Sequence, residues 1–297
     1  MNAVNERDKM KRKVQIGLLV GVTALLAVTG LICMSYAPPY FHVGDLFVRQ
    51  LEFNLIGVVC AGLLVLCGWR RMLASAPFIM VGLIGLFVWL LYAGTHTGPG
   101  CFDFGTICFE ACATYLLVSS LLLAYAVRHR LRWFIVVSVL FGLVQAICVF
   151  ANQAASDANA FAQQQLMVAF AQAKWFGGCG QPMGPTPYAM SAGMVAGVSV
   201  VLGKFMLIPV GLAVGTLVAT LGWIALTVED KAKRVFIASS AIFICGQATV
   251  AYLQCFGLVP MTRLEIPLAA FGVTATICTW AVVGLATSAL LDTGDSL

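Results

Sequence analysis

Runs of uncharged, mostly apolar residues recur along the whole chain, near 14–36, 53–69, 76–94, 107–127, 133–151, 189–227, 235–259 and 266–291. Most reach the roughly 20 residues that a helix rising 1.5 Å per residue needs to cross a bilayer. The pattern predicts an all-α fold: a polytopic bundle of transmembrane helices with about eight spans. The first run, Val14 to Tyr36, is too long for a signal-peptide core and lacks a clear cleavage site, so it reads as a retained first helix. The sixth run is nearly twice the length of one crossing. It forms either a re-entrant half-helix followed by a full span or two crossings, with Gly203 and Pro209 as break points because both weaken a helix interior.

Between the fifth and sixth runs lies the longest loop, 152–188. In its first half Leu166, Ala169, Phe170 and Ala173 recur at i, i+3, i+4 and i+7, with glutamines on much of the opposite face. This predicts an amphipathic helix lying along the membrane interface. The stretch WFGGCGQPMGPTP that follows is rich in glycine and proline and predicts irregular backbone. Residues 1–297 read as a single integral membrane domain.

Charge orients the bundle. Arg7, Lys9, Lys11, Arg12, Lys13, Arg70, Arg71, Arg128, Arg130, Arg132, Lys231, Lys233 and Arg234 fall on the side of the N-terminus, whereas Arg49, Lys174 and Arg263 fall on the other. By the positive-inside rule both termini are cytoplasmic. Two crossings in the sixth run would carry the EDKAKR loop outside, so one net crossing is expected there.

Composition agrees with a lipid solvent. The chain is 61% hydrophobic and only 10% charged, which excludes a soluble domain of this size. Its net charge of +5 is not gathered on a soluble face, so no nucleic-acid partner is implied. Most of the eleven cysteines fall in or at the ends of apolar runs, where they act as small hydrophobes. Cys101 and Cys179 both fall in outer loops and could pair, although nothing in their spacing argues for a disulfide. His42, His96 and His129 are scattered over both faces, so no metal site is expected. Without a nucleotide loop, no cofactor is expected either.

Several local signatures carry a resemblance. Near the C-terminus the chain reads QATVAYLQCFGLVPMTRLEIPLAAFGVTATICTWAVVGLATS, in which Gln247, Gly257, Pro260, Pro267, Phe271 and Gly272 match a Q, G, P, P, Y, G pattern without gaps. GDLFVRQL, with Asp45, Arg49 and Gln50, is similar to a G-D…R-Q segment after the first helix. DFGTICFE, from Asp103 to Glu110, is similar to an L-D-L-G…F-Q segment, and the amphipathic helix ends in KWFGGCG. In this order these segments resemble the SEDS family (shape, elongation, division and sporulation), the FtsW/RodA/SpoVE-type lipid II polymerases. Against the family's usual ten spans, the chain reads as a divergent, shortened member.

The resemblance implies a membrane protein of bacterial cell-wall assembly in the inner membrane. Its implied partners are lipid II, an undecaprenyl-pyrophosphate-linked sugar, and a single-span class B penicillin-binding transpeptidase. It also locates the departures. Where the family has its acid, in H-T-D…E-E-L-G, this chain has Ser191 and Ala192, followed by Val200 and Val201. The P-S-E-x-x-K tail has become ACATYL. A polymerase needs a base to activate the attacking sugar hydroxyl, and neither Ala nor Val accepts a proton. The implied activity is therefore a peptidoglycan glycosyltransferase that is weak or inactive, with a scaffold or regulator of the division or elongation complex as one alternative. A lipid or small-solute transporter is another, although only one run is broken and no paired halves are visible.

Charged groups inside apolar runs are costly and mark candidate sites. The candidate substrate-binding residues are Arg49, Asp103, Glu110, Lys204 and Gln247. Lys204 either holds a pyrophosphate or carboxylate in a cavity, or snorkels near the break, or pairs with Glu110. Arg49 either binds a phosphate or sits at headgroup level. Asp103 is read as a helix cap or part of a polar site, and Glu110 lies one turn inside the fourth span. Asp157 and Glu110 are the candidate substitutes for the missing acid, Asp157 otherwise capping the amphipathic helix.

Overall fold

The computed structural model describes residues 2–36, 46–93, 95–98, 101–103, 108–131, 134–136, 139, 157–178, 190, 193–261 and 264–292. The helices are α1 (Asn2–Tyr36), α2 (Leu46–Cys67), α3 (Trp69–Ala93), α4 (Ala111–Arg128), α5 (Asp157–Gln172), α6 (Met194–Val201), α7 (Leu207–Thr227), α8 (Lys231–Cys255) and α9 (Val273–Leu291). Among the described residues five helical segments are long and apolar enough to cross a membrane: Lys9–Tyr36, Leu46–Cys67, Lys204–Thr227, Lys231–Cys255 and Val273–Leu291. The 76–94 run falls within α3, the 107–127 run largely within α4, and most of the 133–151 run lies outside the described residues.

Between α3 and α4 the chain forms an antiparallel meander of β1 (Thr95–Gly98), β2 (Cys101–Asp103) and β3 (Cys108–Glu110). Thr95 pairs with Asp103, and Cys101 with Glu110. This corrects two expectations. Glu110 ends a strand instead of lying inside a helix, and Asp103 ends the middle strand of the meander instead of standing just before a helix. β-branched and aromatic residues around a Gly-Pro-Gly turn favour strands over an early helix start.

α9 is the hub. Its side chains are buried on nearly every side, and α2 is its closest companion. Any side chain at Gly57 would run into the ring of Trp280, and one at Gly284 would come within 2.7 Å of the backbone of Ala61. Small residues at these points let the two backbones approach closely, the usual way for helices to pack where lipid removes the hydrophobic drive. Polar groups then lock the pair. Trp280 Nε1 donates to Asn54 Oδ1 at 3.0 Å, and Gln50 Nε2 donates to Thr276 Oγ1 at 3.0 Å. The sequence run began only at 53 because Arg49 and Glu52 interrupt the apolar pattern, yet the helix starts at Leu46.

One end of the bundle collects the basic loops. Gln15 of α1 donates to Thr227 at the end of α7 at 2.8 Å. Arg128 pairs with Asp230 at 3.2 Å, and Asp230 also caps α8 by accepting from the N–H of Ala232. Arg70 and Lys233 meet on the carboxylate of Asp292 at 3.3 and 3.2 Å. Arg70, Arg128 and Lys233, from three different basic loops, thus gather at one physical end. Large apolar side chains in mid-helix stay exposed, Leu55 at 59% and Ile242 at 73%, as expected of surfaces that lipid covers.

Candidate functional site

At the opposite end, three irregular segments and two short helices close into a ring. The long sixth run is broken as the re-entrant reading requires. α6 makes a half-helix of eight residues, Gly203 turns at φ +100°, and Lys204–Met206 forms a 3-10 turn before α7. Pro209 is tolerated in the first turn of α7, where its missing N–H costs nothing. The break is filled by the strand of chain leaving α5. Lys204 N–H donates to Lys174 O at 2.9 Å and Phe205 N–H to Trp175 O at 3.0 Å. Only glycine fits at 203, because a Cβ would stand 2.8 Å from Trp175 O.

α5 carries the ring onward. Its stripe of Ala162, Leu166, Ala169 and Ala173 is buried against the protein, packing toward α6 and α8, while Phe161 and Val168 remain exposed. The apolar stripe expected to lie on the membrane surface therefore faces the bundle. Gln163 Nε2 bridges Gln254 O at 2.9 Å and Val259 O at 2.7 Å. Gln254 Nε2 in turn donates to Leu264 O at 3.3 Å.

The segment 264–272 completes the ring. Proline at 267 forbids regular helix, and Ala269 N–H closes a three-residue turn on Pro267 O at 2.8 Å around Leu268, whose φ is +63°. A fully buried leucine in that region costs about 1–2 kcal/mol, and such outliers persist where the surroundings over-determine them. Here Gly30 of α1 supplies the constraint: a Cβ on it would lie 2.6 Å from Leu268 O. Phe271 N–H donates to Met190 O at 2.7 Å. Gln50 Oε1 accepts from Gly272 N–H at 3.3 Å, so a wholly buried side chain of α2 fixes the start of α9.

Glu265 is the residue that sequence reasoning missed. It is 3% exposed, and its carboxylate packs directly against Gly272, where no side chain would fit. The residue before Gly272, Phe271, makes the bond to Met190. The signal for Glu265 was an acid inside an otherwise apolar, proline-containing run, which a reading focused on helices passed over.

The other expected residues are dispersed. Among the described residues Lys204 meets no carboxylate: Nζ donates to Ala171 O at 3.3 Å and lies 5.0 Å over the Phe170 ring, capping the C-terminus of α5. Arg49 is exposed on α2, one position from buried Gln50. Asp157 begins α5, the place expected for it. Gln247 is buried in α8, seven residues below Gln254 and away from the ring. The side chains of Asp103, Glu110 and Asp157, and all of Ser191, Ala192 and Cys179, lie outside the described residues, so a Cys101–Cys179 bond does too. Among the described residues no group of three metal-binding side chains occurs.

This architecture has relatives among solved structures. The chain superposes on the Thermus thermophilus rod shape determining protein RodA with a TM-score of 0.68 and 20% identity, over 94% of this chain and 97% of that one. This is the RodA fold. An Asp-to-Ala variant of the same protein gives a TM-score of 0.71 at 20% identity, over 94% and 98% of the two chains. A structure described as a peptidoglycan synthase complex that coordinates polymerization and crosslinking gives 0.65 at 18% identity, over 92% and 97%. No protein-family model matches the sequence, and neither does any curated protein sequence. The RodA fold accounts for the order of the SEDS-like segments. It explains why the proline-containing segment, the broken helix and the R-Q segment, distant in sequence, meet at one end of a multi-pass membrane protein.

Proposed function

We propose that this protein is a SEDS-type component of bacterial peptidoglycan assembly in the inner membrane, with the ring of α5, α6 and 264–272 on the outer face. It engages lipid II or a related undecaprenyl-pyrophosphate sugar there, works with a class B penicillin-binding transpeptidase, and polymerises glycan poorly by itself. The observation that carries this reading is the RodA fold over 94% of the chain, combined with Ser191 and Ala192 where the family's acid would stand. Loss of a well-placed general base costs about 10²–10⁴ in rate. Among the described residues no second broken helix pairs with the α6–α7 break, which weighs against a transporter.

A second reading, an active polymerase, is favoured by one observation: a buried carboxylate, Glu265, lies against Gly272, the residue after Phe271, whose N–H donates to Met190 O. Polymerisation of labelled lipid II by purified protein, alone and with its transpeptidase, separates the two. The expected result is a trace of product, unchanged by Glu265→Gln, Glu110→Ala or Asp157→Ala. Long strands abolished by one of these changes, with lipid II still bound, would identify the substitute acid and overturn the weak-polymerase reading. Absence of lipid II binding altogether would overturn both.

A further inference from the structure

α8 carries its buried polar residues in a single row. Lys233, Ser240, Gln247 and Gln254 follow one another at intervals of seven, and each is buried. Seven residues fall about 20° short of two full turns, so the four side chains share a face. The ends of the row show where that face points. Lys233 Nζ donates to Asp292 O at 2.6 Å, just beyond α9, and Gln254 Nε2 reaches Leu264 O, in the segment leading into α9. Ser240 and Gln247, in the middle of the row, lie on the same face of α8 as these two ends.

Between these ends, four polar atoms lack partners among the described residues. Ser240 Oγ and Gln247 Nε2 on α8, Thr287 Oγ1 on α9 and Trp69 Nε1 at the start of α3 are all buried without a hydrogen-bond partner. Hydroxyls in a membrane helix ordinarily turn back to the carbonyl four residues earlier, as Thr23, Ser199, Thr220 and Thr279 do in this protein. Ser240 and Thr287 do not, so their hydroxyls are turned away from their own helices. Depth places three of the four together. Ser240 stands roughly 10 Å along α8 from Lys233, and Thr287 roughly 8 Å along α9 from Asp292. Trp69 packs on Phe236 at 5.2 Å, one turn before Ser240, and its neighbour Arg70 holds Asp292.

Lipid offers these groups nothing, and each one left bare costs several kcal/mol. Two hydroxyls, an indole N–H and an amide N–H call for an occupant that is small, uncharged and able both to donate and to accept. We propose that the seam between α8 and α9 binds water at two levels, one at Ser240, Thr287 and Trp69 and one at Gln247. Buried waters of this kind typically make about three hydrogen bonds each. The inference does not depend on the proposed function.

The test is thiol labelling of the full-length protein in lipid nanodiscs with a small methanethiosulfonate, read peptide by peptide by mass spectrometry. Thiolates react only where water reaches them. Ser240→Cys, Gln247→Cys and Thr287→Cys should react at least tenfold faster than the buried apolar controls Ile244→Cys and Leu285→Cys on the same helices. Equal rates would overturn the proposal. A second measurement covers variants that fold poorly. If the seam is dry, Gln247→Leu relieves an unsatisfied amide and raises the melting temperature; a rise therefore refutes the proposal, and a fall or no change supports it.

Discussion

Gly203 shows how much one residue decides. Its φ of +100° turns a half-helix into a full span, and its missing side chain lets the end of α5 hydrogen-bond across the break. Gly203→Ala adds a strained conformation and a clash with Trp175 O. The expected loss is about 1–3 kcal/mol, measured as a lower melting temperature in detergent, together with faster amide exchange over residues 157–177. Unchanged exchange there would show that α5 does not depend on the break. At this scale the sequence was partly legible. Gly203 could be picked out because a glycine in an over-long apolar run has few other uses. Lys204 was rightly conspicuous, but its partner was not readable, since a cap on a helix 33 residues earlier leaves no local trace. Glu265 escaped for a related reason: its setting comes from Gly272 and from a turn that only the folded segment defines.

Among the elements, the pairing of α2 with α9 dominates, and it is built from absences. Gly57, Ala61 and Gly284 remove side chains where the backbones meet, and Gln50 and Asn54 fill the remaining polar valences. Gly284→Leu should separate the helices and abolish recovery of monodisperse protein, whereas Gly62→Leu on the same α2, where a side chain meets nothing within 4 Å, should be tolerated. Size-exclusion profiles of the two variants check this directly; similar behaviour would mean that the close approach is not what holds α2 to α9. Apolar length located the helices well. It misplaced the start of α2, where charged residues lie on a helix whose other face is buried, and it missed the β meander, which reads from sequence only as a turn-rich gap. It also assigned the apolar stripe of α5 to lipid, because periodicity reveals that a face is buried but not against what.

For the whole molecule, the physical clustering of Gln15, Arg70, Arg128, Lys233 and Asp292 at one end makes the charge rule concrete. Topology reporters inserted after Arg132 and after Lys233 should both read cytoplasmic, and one near Gln164 should read external. An external signal at Lys233 would require α7 to cross in the opposite sense. That would carry the whole basic end, with its three ion pairs, to the wrong side of the membrane.

The bond between Gln50 and Thr276 joins residues 226 apart in the chain. A ribosome adding about 5–20 residues per second emits α2 roughly 10–45 seconds before α9 exists. During that interval Gln50 lacks its acceptor Thr276 and Asn54 lacks its donor Trp280, and α2 waits in the bilayer with two polar side chains whose α9 partners do not yet exist. Insertion of this protein is therefore a process that closes backwards: α9, made after the other described helices, is the one around which they must reassemble. Mutations in α9 should consequently appear first as premature degradation of nascent chains, well before they register in any assay of the finished protein.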